Sequence, residues 1–317
     1  MFRRHFLKAA AALAAATLAL PAVAAEGLTT FNVGYQKIGV LVVARQQGLI
    51  EKALADKGIA VNWVEFQAGP PLLEALNAGA IDFGYTGDSP PVFSQAAGGN
   101  LVYVGAIPAS GRGSAILVPK DSPIRSLADL KGRTVGFTKG SSAHNVIVAA
   151  LEKAGLTYAD ITPAYLTPAD AAAAFASGAI DAWSIWDPFY AVAEKAQGAR
   201  LLADGKEILG ITNGFFLANR TFAAEHSEEL KSALAAVTAA GEWADANHDA
   251  VAAALSEVTK VPVDIQKAAA DRTEFTVTPL TDEIVASQQA VADRFAELGL
   301  IPKPIVVKDI VWTPPQS

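Results

Sequence analysis

The sequence predicts an α/β protein of two lobes, each a mixed, mostly parallel sheet flanked by helices, joined by a hinge of two crossovers. Three observations predict it. The chain has 317 residues, a length that suits two domains. Strand-like apolar runs alternate with helix-like stretches, the pattern of a largely parallel sheet covered on both faces. The chain also repeats itself: Leu76-Asn77-Ala78-Gly79-Ala80-Ile81-Asp82 returns as Phe175-Ala176-Ser177-Gly178-Ala179-Ile180-Asp181. Each copy is followed by another aspartate and a proline, Asp88 with Pro90 and Asp187 with Pro188. Upstream, Val33-Gly34-Tyr35-Gln36-Lys37 returns as Val135-Gly136-Phe137-Thr138-Lys139. The offsets, 99 and 102 residues, are too long for a solenoid repeat and fit two similar lobes.

The first 25 residues read as a secretory leader. Arg3, Arg4 and Lys8 stand without an acid, the apolar stretch 9–20 is shorter than the about 20 residues that cross a bilayer, and Pro21 ends it before small-residue cleavage sites at 22–25. Arg3-Arg4-His5-Phe6-Leu7-Lys8 resembles a twin-arginine signal, but Phe2 stands where such signals usually carry Ser or Thr, so ordinary secretion stays open. Without residues 1–25 the chain keeps 22 basic and 32 acidic residues, a net charge of −10. The expected mature protein is exported and periplasmic.

Within the repeat, Leu72, Leu73 and Leu76 share one helical face. Gly79 is a natural stop, because glycine takes the left-handed conformation cheaply. Residues 81–85 make a short apolar strand, and Gly87-Asp88-Ser89-Pro90-Pro91 opens a helix with Asp88 or Ser89 as its cap. The second copy reads likewise: helix 169–177, Gly178 as stop, strand 179–185, Asp187 as cap and Pro188 in the first turn. Further strands are expected over 30–35, 61–66, 101–107, 114–119, 134–137, 161–165, 200–203 and 214–219. Further helices are expected over 37–57, 141–154, 228–247, 249–259, 264–271 and 282–298. Crossovers at 108–113 and 211–214 put 26–110 and 215–317 in lobe one and 111–214 in lobe two, with the helical C-terminal third packed on lobe one.

Several functions are excluded. With no cysteine there is no disulfide, thiolate metal site, iron–sulfur cluster or cysteine nucleophile. The histidines, His5, His144, His226 and His248, do not pair at metal-ligand spacing. There is no Gly-x-Ser-x-Gly elbow, Walker loop or dinucleotide fingerprint. An acidic chain without a basic run argues against nucleic acid. Asp82 and Asp181 hold matching positions in separate lobes, which suits local capping or pairing rather than a general acid/base pair.

A ligand in such sheets sits beyond the carboxyl ends of the strands, where helix N-termini present free N–H groups and a favourable dipole to an anion. Four helices are expected to start there, near Lys37, Gly69-Pro70-Pro71, Gly87-Asp88 and Gly140-Ser141-Ser142. The last is the richest in donors, with two hydroxyls, His144 and Asn145 on the first turn; simple serine capping explains it as well. Trp183 reads as core. Trp186, at the end of its strand, reads as a wall of the cleft, and Phe215 and Phe216 read either as an opposite wall or as core.

The chain then resembles a known family. Val33-Gly34-Tyr35-Gln36-Lys37, Gly69-Pro70-Pro71-Leu72-Leu73-Glu74-Ala75-Leu76, Ile81-Asp82-Phe83-Gly84, Pro90-Pro91-Val92-Phe93, Ile116-Leu117-Val118-Pro119-Lys120, Lys139-Gly140-Ser141-Ser142-Ala143-His144 and Asp181-Ala182-Trp183-Ser184-Ile185-Trp186-Asp187-Pro188-Phe189 carry the likeness. They resemble the aliphatic sulfonate-binding proteins of bacterial ABC importers, in the sulfonate, taurine and nitrate-like branch of type II periplasmic binding proteins. The resemblance implies a monomeric receptor, without enzymatic activity, cofactor or metal, that closes its hinge on a small organic sulfonate and delivers it to a membrane permease for sulfur acquisition. It implies that Gln36 and the amides at Gly69-Pro70 and Thr86-Gly87 hold ligand from lobe one. Ser141, Ser142 and His144 hold it from lobe two, and Trp186 walls the tail. Asp88 and Asp187 are either N-caps or partners of a ligand ammonium. Receptors for taurine, nitrate, an aromatic sulfonate or a thiamine precursor remain alternatives, as does, at greater distance, an enzyme on the same scaffold.

Overall fold

The structure of the protein, a computed structural model, describes residues 27–314. The leader expected over 1–25 lies outside the described residues. The first lobe opens with β1 (Thr30–Tyr35) and α1 (Gly39–Gln46). The single helix expected over 37–57 is broken by Gly48, whose φ of 61° turns the chain into α2 (Leu49–Leu54). Next come β2 (Ala60–Glu65), α3 (Gly69–Asn77), β3 (Phe83–Thr86), α4 (Ser89–Ala96) and β4 (Leu101–Ala109). The second lobe holds β5 (Ser114–Val118), β6 (Thr134–Phe137), α5 (Ser142–Lys153), β7 (Thr162–Tyr165), α6 (Pro168–Ser177), β8 (Ala182–Trp186), α7 (Phe189–Ala196) and β9 (Arg200–Asp204). The chain returns through α8 (Gly205–Leu209) and β10 (Thr212–Asn219). It finishes with α9 (Arg220–Glu225), α10 (Ser227–Ala246), α11 (His248–Thr259), α12 (Val263–Ala270) and α13 (Asp282–Glu297). The short helices α8 and α9 were not expected. Their signals are the caps: Asp204 accepts from the Glu207 amide, and Asn219 accepts from those of Thr221 and Phe222.

Each lobe carries a five-stranded mixed sheet, in the orders β2-β1-β3-β10-β4 and β7-β6-β8-β5-β9. In each, four strands share one direction and the fifth, β10 or β5, runs antiparallel to both its neighbours. The internal repeat accounts for the shared core of these sheets. Asp82 donates its amide to Asn32 O (2.8 Å) and accepts the Asn32 amide on Oδ2 (2.7 Å). Asp181 does the same with Thr134, at 2.8 Å each way. Asp82 therefore locks the parallel pairing of β1 with β3, and Asp181 that of β6 with β8, a structural role in both lobes. The repeated glycines match too: a Cβ on Gly34 would meet Ile81 Cδ1 at 2.3 Å, and one on Gly136 would meet Ile180 Cδ1 at 2.5 Å.

Both faces of the first sheet are covered over its central strands, which is why β3, β4 and the middle of β10 are largely apolar. Phe31, Val33, Phe83 and Phe216 pack with Leu230 and Val237 of α10 on one face. Leu72, Leu76, Val92 and Phe215 pack with Ile284 and Phe295 of α13 on the other. The C-terminal helices pack on lobe one as expected, and α12 also reaches across: its Ala270 is buried in the lobe-one core, while its Ile265 and Ala269 are buried against Ala191 of α7 in lobe two. A second bridge runs from α13, where Arg294 donates to Asn145 Oδ1 (2.9 Å) and Glu152 Oε2 (3.0 Å) of α5. The C-terminal segment thus ties the two lobes together.

Candidate functional site

Between the lobes lies a cavity of about 180 Å³. From lobe one it is lined by Gln36 at the end of β1, by the start of α1 at Ile38–Val40, and by Gly69, Tyr85 and Gly87. From lobe two it is lined by Ser114, Ser141, Ser142, Trp186 and Asp187. The hinge segments contribute Gly111, Gly113 and Thr212–Gly214, and the segment after α12 contributes Arg272, Thr273 and Glu274. Of the residues expected at the site, Gln36, Gly69, Gly87, Ser141, Ser142, Trp186 and Asp187 come together here; Pro70, Thr86, Asp88, His144 and Phe215 do not line it.

The local sequence sets the donors. α3 carries prolines at its second and third positions and α4 likewise, so Pro70, Pro71, Pro90 and Pro91 offer no N–H. The Gly69-Pro70 step therefore supplies one amide rather than two. Most of the anion-facing potential falls to α5, where the Ser142 and Ala143 amides at the first turn lack an intrahelical acceptor. Ser141 spends its hydroxyl proton on Thr138 O (2.7 Å), which leaves Ser142 as the hydroxyl aimed at the cavity. Glycine allows close approach at two points. A Cβ on Gly69 would meet Pro90 Cγ at 2.6 Å, and one on Gly87 would meet Ser142 Cβ at 2.9 Å and Oγ at 3.0 Å. The start of α4 is thus seated directly on the start of α5, across the cleft. Gln36 is held by donating Nε2 to Tyr85 O (3.3 Å).

The other expected residues have different work. The His144 ring is fully buried and packs on Phe93, Phe137 and Phe295. Its Nδ1 accepts from the Gly140 amide (3.2 Å), which leaves the proton on Nε2, 3.1 Å from Tyr158 Oη. Burial, with Lys139 nearby, pushes the imidazole down to about 4. It shapes the loop that starts α5 and has no nitrogen left for a ligand. Asp88 does not cap α4 with its side chain; its carboxylate accepts from Asn145 Nδ2 (2.7 Å) and Ser89 Oγ (2.9 Å), and burial raises its pKa. It joins α4 to α5 behind the cavity. Thr86 is buried and donates to Gly87 O. Phe215 packs edge-on against Tyr103 at 5.0 Å, and Phe216 stacks on Phe83 at 5.6 Å. Both are core because β10 is a central strand covered on both faces. Trp183 is core as expected, packed on Phe175 and Phe189.

Asp187 caps the first turn of α7 and is ion-paired at once. Its Oδ1 accepts from the Ala191 amide (3.0 Å), and both oxygens take the Arg272 guanidinium at 2.9 and 3.1 Å. Arg272 reaches Glu194 as well (3.2 Å) and stacks 3.8 Å over the Tyr190 ring. Burial pushes the Asp187 carboxyl up to about 6 against the opposing pull of Arg272. Among the described residues, the one cationic side chain that lines the cavity is therefore already neutralised by two carboxylates. Arg272, Glu274, Tyr85 and Asn213 were not anticipated at the site. An arginine just past a helix end is the ordinary place for a cation near a helix C-terminus, so nothing local marked Arg272. Arg112 is exposed and donates to Ser110 (3.2 Å). Among the described residues, no group of three His, Asp or Glu could hold a metal ion.

Comparison with known proteins places this geometry among relatives. The family described as NMT1/THI5 like matches residues 36–251. A protein of Escherichia coli (strain K12) named for binding aliphatic sulfonates is 42% identical over 93% of this chain and 92% of its own. The alkanesulfonate-binding protein SsuA from Xanthomonas axonopodis pv. citri, solved bound to MOPS, superposes with a TM-score of 0.85 at 41% identity, covering 90% of this chain and 98% of that one. The periplasmic aliphatic sulphonate binding protein SsuA from Escherichia coli gives a TM-score of 0.80 at 41% identity, over 91% and 93%. These relatives are binding proteins, and their two-lobed architecture is the one described above.

Proposed function

The chain belongs to the NMT1/THI5-like family, and we propose that within it the protein is a periplasmic receptor that captures aliphatic sulfonates and delivers them to the membrane permease of an ABC importer. Lobe one, 26–110 with 215–317, and lobe two, 111–214, close by the hinge on the bound anion. The leader at 1–25 directs export, and the receptor acts as a monomer. Relatives named for sulfonate binding support the ligand class.

The observation that carries the reading is the meeting of Gly87 with Ser142 inside a cavity whose free donors are uncharged. A sulfonate is ionised at every physiological pH, so the site needs donors and no titrating base. Gln36, the Gly69 and Gly87 amides, and the Ser142 hydroxyl with the first amides of α5 supply them. Ser141 orders the loop, and Trp186 covers the organic tail. Arg272, tied to Asp187 and Glu194, holds the lobes rather than the anion, which keeps release possible. Micromolar affinity is about −8 kcal/mol, and three or four hydrogen bonds to the anion at ~1.5–3 kcal/mol each suffice when the tail is also buried.

Calorimetry of residues 26–317 with alkanesulfonates, taurine, nitrate and sulfate tests the reading. Micromolar binding of alkanesulfonates, with sulfate and nitrate at least tenfold weaker, is the expected result. Binding of none of the sulfonates below millimolar defeats it.

A further inference from the structure

A neutral imidazole has one acceptor and one donor nitrogen, and among the described residues each nitrogen of His144 has one partner. Nδ1 accepts from the Gly140 amide at 3.2 Å, so Nε2 keeps the proton and donates it to Tyr158 Oη at 3.1 Å. Tyr158 then passes its own proton to Tyr165 Oη, 2.9 Å away and at the surface, where Tyr165 is 45% exposed. The ring itself is fully buried, and the faces of Phe93, Phe137 and Phe295 around it offer no acceptor. The phenol stands on a fixed base. The amide and hydroxyl of Thr157 both donate to Asp160 Oδ2 at 2.8 Å and so hold the turn Tyr158–Asp160.

The other end of this chain is the loop that starts α5. Gly140 is buried with a φ of 73°, and an amide there without an acceptor is costly. Without the Tyr158 oxygen, the Nε2 proton would be buried and unpaired. Moving it to Nδ1 relieves that, but sets a donor against the Gly140 N–H. The loop escapes by turning the Gly140 peptide toward water, and Ser141 and Ser142 follow it directly in the chain. We propose that Tyr158 is a positioning residue of the ligand site: by accepting the Nε2 proton of His144 it keeps Nδ1 open to Gly140, and so holds in place the Ser142 hydroxyl and the first amides of α5. Tyr158 does not line the cavity and touches no ligand. The inference rests on the sulfonate reading above and adds to it a residue from outside the cavity.

The test is Tyr158→Phe, which keeps the ring and removes the oxygen. Calorimetry with butanesulfonate is expected to show a Kd raised about three- to tenfold. Hydrogen exchange of the unliganded protein is expected to show the Gly140 amide exchanging at least about threefold faster. Tyr165→Phe leaves the Tyr158 oxygen in place and should stay within about twofold on both readouts. His144→Asn gives Gly140 an amide oxygen near the Nδ1 position that does not depend on Tyr158, so adding Tyr158→Phe to it should change Kd by less than about twofold. Thermal melts show which variants are folded, and Tyr158→Phe alone decides. A folded Tyr158→Phe protein that binds within twofold of the wild type overturns the positioning role while the sulfonate reading stands. So does weakened binding with unchanged Gly140 exchange, or an equal loss of affinity in the His144→Asn background. Failure of every sulfonate to bind the wild type removes the sulfonate reading and this role with it.

Discussion

Gly87 lies at the contact on which closure depends, and Gly87→Ala probes it with a single methyl. The added Cβ would stand 2.9 Å from Ser142 Cβ and 3.0 Å from its Oγ, whereas carbon atoms rest at about 3.5–4 Å. Ser142 sits at the first position of α5 and cannot retreat without shifting the helix, so the lobes must part by several tenths of an ångström to about 1 Å. Overpacking of this kind costs ~1–3 kcal/mol, which is about a 5- to 150-fold rise in Kd for a sulfonate. The same contact is overpacked in the unliganded protein, so its melting temperature should fall by about 2–4 °C for each kcal/mol lost. Calorimetry and a thermal melt on the same preparation read both quantities. Adding Ser142→Gly should recover part of the loss, since it removes the atoms that the methyl meets, although it also removes a donor. A Gly87→Ala protein that melts like the wild type and binds within twofold of it would refute the claim that these two helix starts close on each other around the ligand.

Other expectations follow from the same geometry. Arg272→Met strands Asp187 and Glu194 without their cation; losing one partner of a buried pair costs ~3–5 kcal/mol. The partial exposure of Arg272 reduces this to roughly 2 kcal/mol, seen by calorimetry as a Kd raised at least tenfold because the pair joins the lobes. His144 contributes a pH dependence of stability: its folded pKa of about 4 lies below the unfolded 6.5, so its neutral form stabilises the fold above pH 6.5 and that contribution fades as pH falls toward 4. Urea unfolding from pH 7 to 4 should therefore show the wild type losing ~3 kcal/mol relative to His144→Phe, and parallel curves would refute it. Asp187, with its folded pKa of about 6 above the usual 3.8, works in the opposite sense, which is why the comparison is made against the variant. Gly34→Ala and Gly136→Ala should each destabilise by ~1–3 kcal/mol. Ile81→Val should relieve the first and Ile180→Val the second, because each removes the Cδ1 in question; denaturation midpoints that show no relief would break the equivalence of the two lobes.

Much of the fold was legible because it is local. Alternating apolar runs, glycine stops and proline-bearing helix starts are written in contiguous residues, and β1 and β6 begin and end where periodicity placed them. Gly48 was missed as a break because a left-handed glycine leaves no trace in an apolar pattern. The site was legible in part for the same reason. Gln36, Gly69, Gly87, Ser141 and Ser142 lie at strand ends or helix starts, and chemistry there follows from backbone geometry. His144 and Asp88 misled because their residue types suit a ligand, while their neighbours in space, Gly140 and Tyr158 for one, Asn145 and Ser89 for the other, use up their polar atoms.

By itself the sequence determined two sheet-and-helix lobes, the doubled strand order around Asp82 and Asp181, and the helix starts that face the cleft, since each rests on hydrogen bonds and periodicities within a short stretch. Only the tertiary structure decided which polar groups remain free. Arg272 lies 85 residues from Asp187 along the chain and within 3 Å of it in space, and whether a cation meets a ligand or a carboxylate depends on packing between segments that no local pattern couples.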